Sequence, residues 1–138
     1  MNLRPPDTEQ KRDAFRALHA TGTFVIPNPW DVGSARLLQH LGFSALASTS
    51  SGMSWSHGQP DYSARLPTAL EHLRGLCGAV DLPVSADFQE GFAREPEAVA
   101  LNVKRVLETG VAGLSIEDTQ FEDATKLSVA SRRSGRMP

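Results

Sequence analysis

The chain has 138 residues, of which 40% are hydrophobic, and it carries a formal net charge of -2 with an isoelectric point near 6.1. This length supports one globular domain with a real core, although a closed α/β barrel usually needs about 250 residues. There is no basic stripe, only one cysteine, and no signal-peptide or membrane-spanning run, so we expect a soluble cytoplasmic protein without nucleic-acid or membrane partners.

The first part of the chain predicts two helices separated by a strand. Residues 8–20 have a polar start and a small apolar face, which indicates a leading helix. Residues 23–26 (TFVI) are typical of a short buried strand. After a turn, Asp31 is placed to cap a helix over residues 32–41.

The middle of the chain predicts a second strand at residues 44–49, followed by a long loop over residues 50–62 that is rich in serine and glycine. Leucines at helical spacing then predict a helix over residues 65–80. Cys77 shares the apolar face of that helix, so we interpret it as a small buried residue with no chemical role. His72 on the same helix is interpreted as a surface residue.

A third strand over residues 83–87 and a fourth over residues 112–116 flank a helix that begins at Pro96 and ends before Gly110. Strands that alternate with helices pair in parallel through right-handed crossovers. The pattern therefore predicts an α/β fold, either an open doubly wound sheet or part of a (β/α) barrel of the TIM type. Glycine-rich nucleotide-binding motifs are absent from the sequence, which disfavours the nucleotide-binding sheets.

Acidic residues follow the last two predicted strands. Asp87 ends one strand, and Glu117 and Asp118 follow the other. Because the carboxyl ends of parallel strands meet at one edge, where ligands bind in such folds, this edge is the candidate site. Structural interpretations stay open: Asp87 could cap the following turn, and Glu117 could pair with a nearby arginine or lysine.

The final segment differs in composition. Residues 126–138 contain four basic residues and no acidic one. We therefore predict a partial barrel domain over residues 1–121 and an irregular basic tail over residues 122–138. A nucleic-acid-binding arm is the alternative interpretation of the tail.

Four motifs in order resemble the isocitrate lyase and phosphoenolpyruvate mutase superfamily. They lie at residues 28–36 (NPWDVGSAR), 51–61 (SGMSWSHGQPD), 85–92 (SADFQEGF) and 113–118 (GLSIED). The resemblance covers roughly residues 10–119 and is similar to the N-terminal half of short bacterial members related to methylisocitrate lyase and oxaloacetate decarboxylase.

The resemblance implies a (β/α)-barrel enzyme that binds Mg²⁺ and a small α-keto acid or its enolate, and that makes or breaks an adjacent C–C or C–P bond. It assigns Asp87 and Glu117 as metal ligands, with Glu117 also catalytic. Asp61 is the other implied catalytic residue, although a Pro-Asp turn is its simpler interpretation. Ser51, Gly52 and Met53 would hold the substrate carboxylate or phosphonate through backbone N–H groups and the serine hydroxyl. A hard cation with oxygen ligands fits this chemistry.

The sequence also departs from the family pattern. Gln89 stands where relatives usually carry a second carboxylate, no Lys-x-Cys-Gly-His loop follows Asp118, and four strands are predicted where the family barrel has eight. Whether the chain is an enzyme therefore stays open. The alternative is a non-catalytic half-barrel fragment or a subunit that pairs with another chain or with a second copy.

Overall fold

The computed structural model describes residues 6–117, which form five helices and three strands. In chain order the elements are α1 (Thr8–Leu18), α2 (Val32–His40), β1 (Leu46–Ala47), α3 (Ser50–Ser56), α4 (Leu66–Ala79), β2 (Val84–Asp87), α5 (Pro96–Leu107) and β3 (Gly113–Ser115). The predicted α/β class is confirmed. No helix in this part of the chain is long and apolar enough to cross a membrane.

The three strands form a parallel sheet in the order β1-β2-β3. Leu46 pairs with Val84, and Asp87 pairs with Ser115. Side chains alternate along β2, so that Val84 and Ala86 are buried while Ser85 and Asp87 are half-buried. One face of the sheet is therefore apolar, and the other carries small polar and acidic side chains.

The apolar face packs against the helices, with α4 at the centre because it contacts α2, α5 and β2. The core cluster includes Leu46, Leu70, Leu73, Leu76, Val84, Phe88, Val106 and Val111. Burying each of these side chains contributes about 1.5–3 kcal/mol before conformational entropy is subtracted. Cys77 is buried beside them, and burial raises the pKa of its thiol to about 11, as expected for an inert structural cysteine.

Helix α1 closes the amino end of the sheet. Lys11 Nζ donates hydrogen bonds to Cys77 O at 3.0 Å and to Val80 O at 2.6 Å, where α4 ends. Arg12 donates to the carbonyl of Leu107, the last residue of α5, at 3.1 Å, and to Val111 O, which follows the helix, at 3.2 Å. Positive side chains thus donate to carbonyl groups at or just beyond the carboxyl ends of α4 and α5, where the helix dipole is negative.

The prediction of a strand at residues 23–26 is wrong. The segment is extended but is not part of the sheet, and Val25 is 71% exposed. Ala47 instead uses its N–H to bond Pro27 O at 3.0 Å, while its carbonyl accepts from the Asn28 side chain at 3.1 Å. The prolines at 27 and 29 have no N–H, so a regular ladder cannot continue along this segment.

The long loop predicted over residues 50–62 is partly helical. Ser50–Ser56 form α3, and the Thr49 side chain caps it by accepting a hydrogen bond from Gly52 N at 3.2 Å. The other predicted helices are confirmed to within about two residues at each end, and Asp31 caps α2 as expected. Asp118 and the tail predicted at residues 122–138 lie outside the described residues.

Candidate active site at the carboxyl end of the sheet

A cleft of about 320 Å³ opens where the three strands end. It is lined by Asn28, Ala47, Ser48, Thr49, Ser85, Ala86, Asp87, Ser115 and Glu117. The two carboxylates that the sequence predicts as metal ligands are both in this lining. The strand-end rule therefore brings Asp87 and Glu117 to one cavity, as expected for parallel strands.

Asp87 is fixed by the start of α3. Its Oδ2 atom accepts hydrogen bonds from Ser50 N at 2.9 Å and from Ser50 Oγ at 2.8 Å. Its backbone N–H donates to Ser48 Oγ at 2.9 Å. Oδ1 receives a longer bond, 3.3 Å, from Gln89 N, so this oxygen is the less engaged of the two.

Glu117 is held by two contacts from other parts of the chain. Its backbone N–H donates to Gln89 O at 2.7 Å, which extends the pairing of β3 beyond Ser115. Its Oε2 atom accepts a hydrogen bond from the Tyr62 hydroxyl at 2.9 Å. Burial, the Glu117 hydrogen bond and the nearby charges of Asp61, Asp87 and Glu117 raise the pKa of the Tyr62 phenol, which stays protonated as a donor.

Asp61 is not in the lining of the cleft. It is half-buried, and its Oδ1 atom accepts a hydrogen bond from Tyr62 N at 2.8 Å. Its charge reaches the Tyr62 hydroxyl together with the charges of Asp87 and Glu117. The geometry therefore gives Asp61 a turn-forming contact, and Tyr62 links it to Glu117 at the cleft.

Ser51, Gly52 and Met53 differ from the prediction of unpaired backbone donors. Gly52 N donates to Thr49 Oγ1, and Met53 N donates to Thr49 O at 3.0 Å as α3 begins. Ser51 Oγ lies 3.1 Å from Thr49 Oγ1. Two of the three N–H groups are thus already used within the turn, and the neighbours that line the cleft are Ser48 and Thr49.

The donor set of the cleft suits a hard divalent cation. Asp87 and Glu117 offer carboxylate oxygens, surrounded by serine and threonine hydroxyls. Among residues 6–117 there is no cluster of three or more His, Cys, Asp or Glu side chains placed to hold a metal. Two carboxylates with water in the remaining positions match Mg²⁺, which keeps several waters in proteins, and do not match zinc.

His72 is placed differently from its interpretation as a surface residue. Its Nε2 atom is buried and has no hydrogen-bond partner in the described part of the chain. The ring borders a small cavity together with Ser50, Met53 and Asp87. Burial lowers the pKa of His72, with the charge of His57 acting in the same direction and that of Asp31 opposing it. Its spacing from Ala69 and Leu76 would have placed it on the inner face of α4.

Other contributors had weaker sequence signals. Ser48 and Thr49 end a strand and follow the same rule that identified Asp87. Tyr62 had no signal, because its partner is 55 residues away and its backbone adopts a left-handed φ of 58°. Gln89 is 2% exposed, and its Nε2 atom is buried without a partner among residues 6–117. Its backbone, more than its side chain, connects the ends of β2 and β3.

Comparison with known proteins identifies relatives of this fold and site. Residues 15–135 match the family described as phosphoenolpyruvate phosphomutase. An uncharacterized protein of Mycobacterium tuberculosis is 35% identical over 121 residues, which cover 87% of this chain and 46% of that protein. Oxaloacetate decarboxylase of Rhodopseudomonas palustris is 34% identical over 135 residues, or 91% of this chain and 45% of the enzyme. The chain thus spans a little under half the length of these curated relatives.

Solved structures give the same result. A candidate lyase/mutase from Burkholderia cenocepacia superposes with a TM-score of 0.81 at 46% identity, covering 83% of this chain and 42% of that one. A 2,3-dimethylmalate lyase of the PEP mutase/isocitrate lyase superfamily superposes with a TM-score of 0.69 at 30% identity, covering 80% and 39%. With a family match across most of its residues and the strand-end motifs in place, this chain belongs to the phosphoenolpyruvate phosphomutase family of the PEP mutase/isocitrate lyase superfamily.

Proposed function

We propose that this chain forms the metal- and substrate-binding edge of a Mg²⁺-dependent lyase or phosphonomutase acting on a small α-keto acid or its enolate. One observation carries the proposal: Asp87 and Glu117, which follow neighbouring parallel strands, line the same cleft. Relatives named oxaloacetate decarboxylase and 2,3-dimethylmalate lyase support a small carboxylic acid as the substrate.

The residues of the cleft would divide the work between binding and orientation. Asp87 and Glu117 would hold the cation, and Ser50 would orient the Asp87 carboxylate through two hydrogen bonds. When bound, Mg²⁺ would supply positive charge to offset the negative charge that develops on the keto oxygen. Asp61, beside Tyr62, is the proposed second catalytic carboxylate.

The substrate carboxylate or phosphonate is proposed to bind at Ser51, Gly52 and Met53. In this structure Thr49 occupies the N–H groups of Gly52 and Met53. Binding through those groups therefore requires the first turn of α3 to rearrange. The Ser51 hydroxyl can bind the substrate once its hydrogen bond to Thr49 Oγ1 is broken. This cost lowers affinity for the substrate in the isolated chain.

We also propose that the three strands are part of a TIM-type (β/α) barrel. Solved structures of the superfamily superpose on the described residues, which supports this proposal. The second candidate function is a subunit that binds cation and keto acid but turns over substrate only when paired. The lining of the cleft among the described residues contains no lysine or arginine that could neutralise the charge of a bound acid, which favours this second candidate.

Calorimetric titration with Mg²⁺ and Mn²⁺, with and without oxalate as a mimic of the pyruvate enolate, tests the binding proposal. We expect the wild type to bind cation and Asp87→Asn to lose affinity by about 100-fold, equivalent to about 2.7 kcal/mol. Glu90→Gln is the matched control, because Glu90 follows the same strand but lies outside the lining of the cleft. Equal affinity in Asp87→Asn contradicts the assigned site.

Turnover is measured as pyruvate or glyoxylate release from oxaloacetate, methylisocitrate and phosphonopyruvate. Cation-dependent release that Asp87→Asn abolishes supports the enzyme. Cation and oxalate binding without release supports the pairing subunit. Release that persists without divalent cations, or in Asp87→Asn, overturns the mechanism.

A further inference from the structure

Tyr62 makes the longest-range side-chain contact to the candidate metal ligands. Its hydroxyl donates to Glu117 Oε2 at 2.9 Å across 55 residues of sequence. Glu117 itself is exposed, whereas Tyr62 is half-buried. A flexible, solvent-facing carboxylate is thus tied to a side chain that has only two rotatable χ angles and is partly packed.

The backbone of Tyr62 is shaped for this contact. Its φ of 58° lies in the left-handed region, which a bulky aromatic residue seldom adopts. The preceding residue, Asp61, stabilises the bend by accepting the Tyr62 N–H at 2.8 Å. Strained conformations of this kind persist where the surrounding structure holds them, and they cluster at functional sites.

We infer that Tyr62 is a positioning residue that orients the Glu117 carboxylate for divalent cation binding, an inference that rests on the proposed function. A metal ligand needs only one carboxylate oxygen, so Tyr62 can keep Oε2 while Oε1 serves the cation. The protonated Tyr62 hydroxyl donates its hydrogen bond to the Glu117 carboxylate, and this bond fixes the rotation of the carboxylate about the Cγ–Cδ bond of Glu117. Hydrogen bonds of this kind commonly change metal affinity by 10–100-fold.

Competing explanations of the contact are weaker. A purely structural tie would stabilise the loop at residues 57–65 without affecting the cation. That loop already has its own internal bonds, such as Ser63 Oγ to Pro60 O at 2.6 Å. The Tyr62 hydroxyl, in contrast, forms a hydrogen bond outside the loop, to Glu117 in the lining of the cleft.

The test compares Tyr62→Phe with Ser63→Ala, which removes a hydroxyl hydrogen bond of the same loop away from the cleft. In calorimetric titrations with Mn²⁺ and Mg²⁺ alone, we expect Tyr62→Phe to weaken binding about tenfold and Ser63→Ala to leave it unchanged. Thermal unfolding of both variants without cation checks that they are folded. Tyr62→Phe binding as tightly as wild type overturns the inference while leaving the proposed function standing.

A spectroscopic readout separates positioning from general stability. Tyr62 is the only tyrosine, so ¹³Cζ-tyrosine labelling gives a single resonance. We expect this resonance to shift in Glu117→Gln before any metal is added, and to shift in the wild type on Mg²⁺ addition with the midpoint found by calorimetry. A resonance that responds to neither change overturns the inference. If the wild type binds no cation at all, the proposed function fails and this inference fails with it.

Discussion

At the amino end of the sheet, Lys11 and Arg12 of α1 donate to backbone carbonyls at or just beyond the ends of α4 and α5, whereas at the carboxyl end two carboxylates line a cleft. The charges are favourably paired at the amino end, because the Lys11 and Arg12 side chains lie at the negative ends of the dipoles of α4 and α5. At the second end Asp87 and Glu117 bring like charges toward one cavity. Such an arrangement is unfavourable by itself and becomes favourable when a cation binds.

Backbone strain shows the same division. The non-glycine residues with positive φ in the described part of the chain are Tyr62, Gln89 and Phe92. All of them lie in segments near the carboxyl end, after α3 or just after β2. Buried polar atoms without partners, among them Gln89 Nε2 and His72 Nε2, also occur on this side. The contacts at the amino end thus stabilise the fold, whereas the strained backbone and unpaired buried polar atoms near the carboxyl end destabilise it, as is common at functional sites.

The largest expected loss of stability comes from crowding the carboxyl end with Gly52→Ala. A Cβ atom on Gly52 would lie 2.5 Å from Trp30 Cδ1 and 2.6 Å from Thr49 Cγ2, closer than real contacts allow. We expect unfolding in urea to show a destabilisation of about 3 kcal/mol. Because Thr49 lines the cleft and would have to move, cation binding should weaken as well.

Gly78→Ala is the matched control for that change. A Cβ on Gly78 meets nothing within 4 Å, and the residue lies inside α4. Its replacement should stabilise the protein by about 0.5–1 kcal/mol through helix propensity. If Gly52→Ala is as stable as wild type, the contacts of Gly52 with Trp30 and Thr49 are not as tight as the structure shows.

At the amino end, Lys11→Met should lower stability without affecting the cleft. The change removes two hydrogen bonds from a charged donor to the carbonyls of Cys77 and Val80. We expect a loss of about 2 kcal/mol in the free energy of unfolding. Arg16→Met on the same helix removes only an exposed ion pair with Asp13 and should cost less than about 0.5 kcal/mol. Weaker cation binding in Lys11→Met would contradict the conclusion that the amino end stabilises the fold without affecting the cleft.

The sequence predicted those parts of the fold that depend on local patterns. Leucine spacing located α4, the capping pattern at Asp31 located α2, and the strand-end rule located Asp87 and Glu117. These features depend on periodicity, local hydrogen bonding and parallel topology, which are readable without coordinates.

The parts that failed depend on tertiary contacts. Residues 50–56 (SSGMSWS) have poor helix propensity, yet they form α3 because Thr49 caps it and Asp87 accepts the N–H of Ser50. Residues 23–26 have a strand composition but do not join the sheet, because Pro27 and the Asn28 side chain, which follow them, make the hydrogen bonds to Ala47 of β1. The Tyr62 contact needs a strained backbone that no propensity predicts.

The smallest expected effect is a pH dependence due to His72. Burial lowers its pKa in the folded chain, so the folded state binds fewer protons than the unfolded state as the pH falls through the ordinary histidine value of about 6.5. The neutral ring therefore contributes stability above that pH, and this contribution is lost as the pH falls below it. Urea unfolding at pH 7.5 and pH 5.5 should show a loss in the wild type that is smaller in His72→Gln.

The comparison with His40→Gln makes this test specific. His40 is exposed at the end of α2 and is not part of the cavity that His72 borders, so His40→Gln should keep the pH dependence that His72 causes. The charge of Asp31 opposes the lowering of the His72 pKa, and the charge of His57 adds to it. Added Mg²⁺ should leave the His72 contribution in place if the ring borders the site without binding the cation. If the pH dependence of unfolding is the same in wild type and His72→Gln, protonation of the His72 ring does not destabilise the folded chain. The ring would then not be buried as the structure has it.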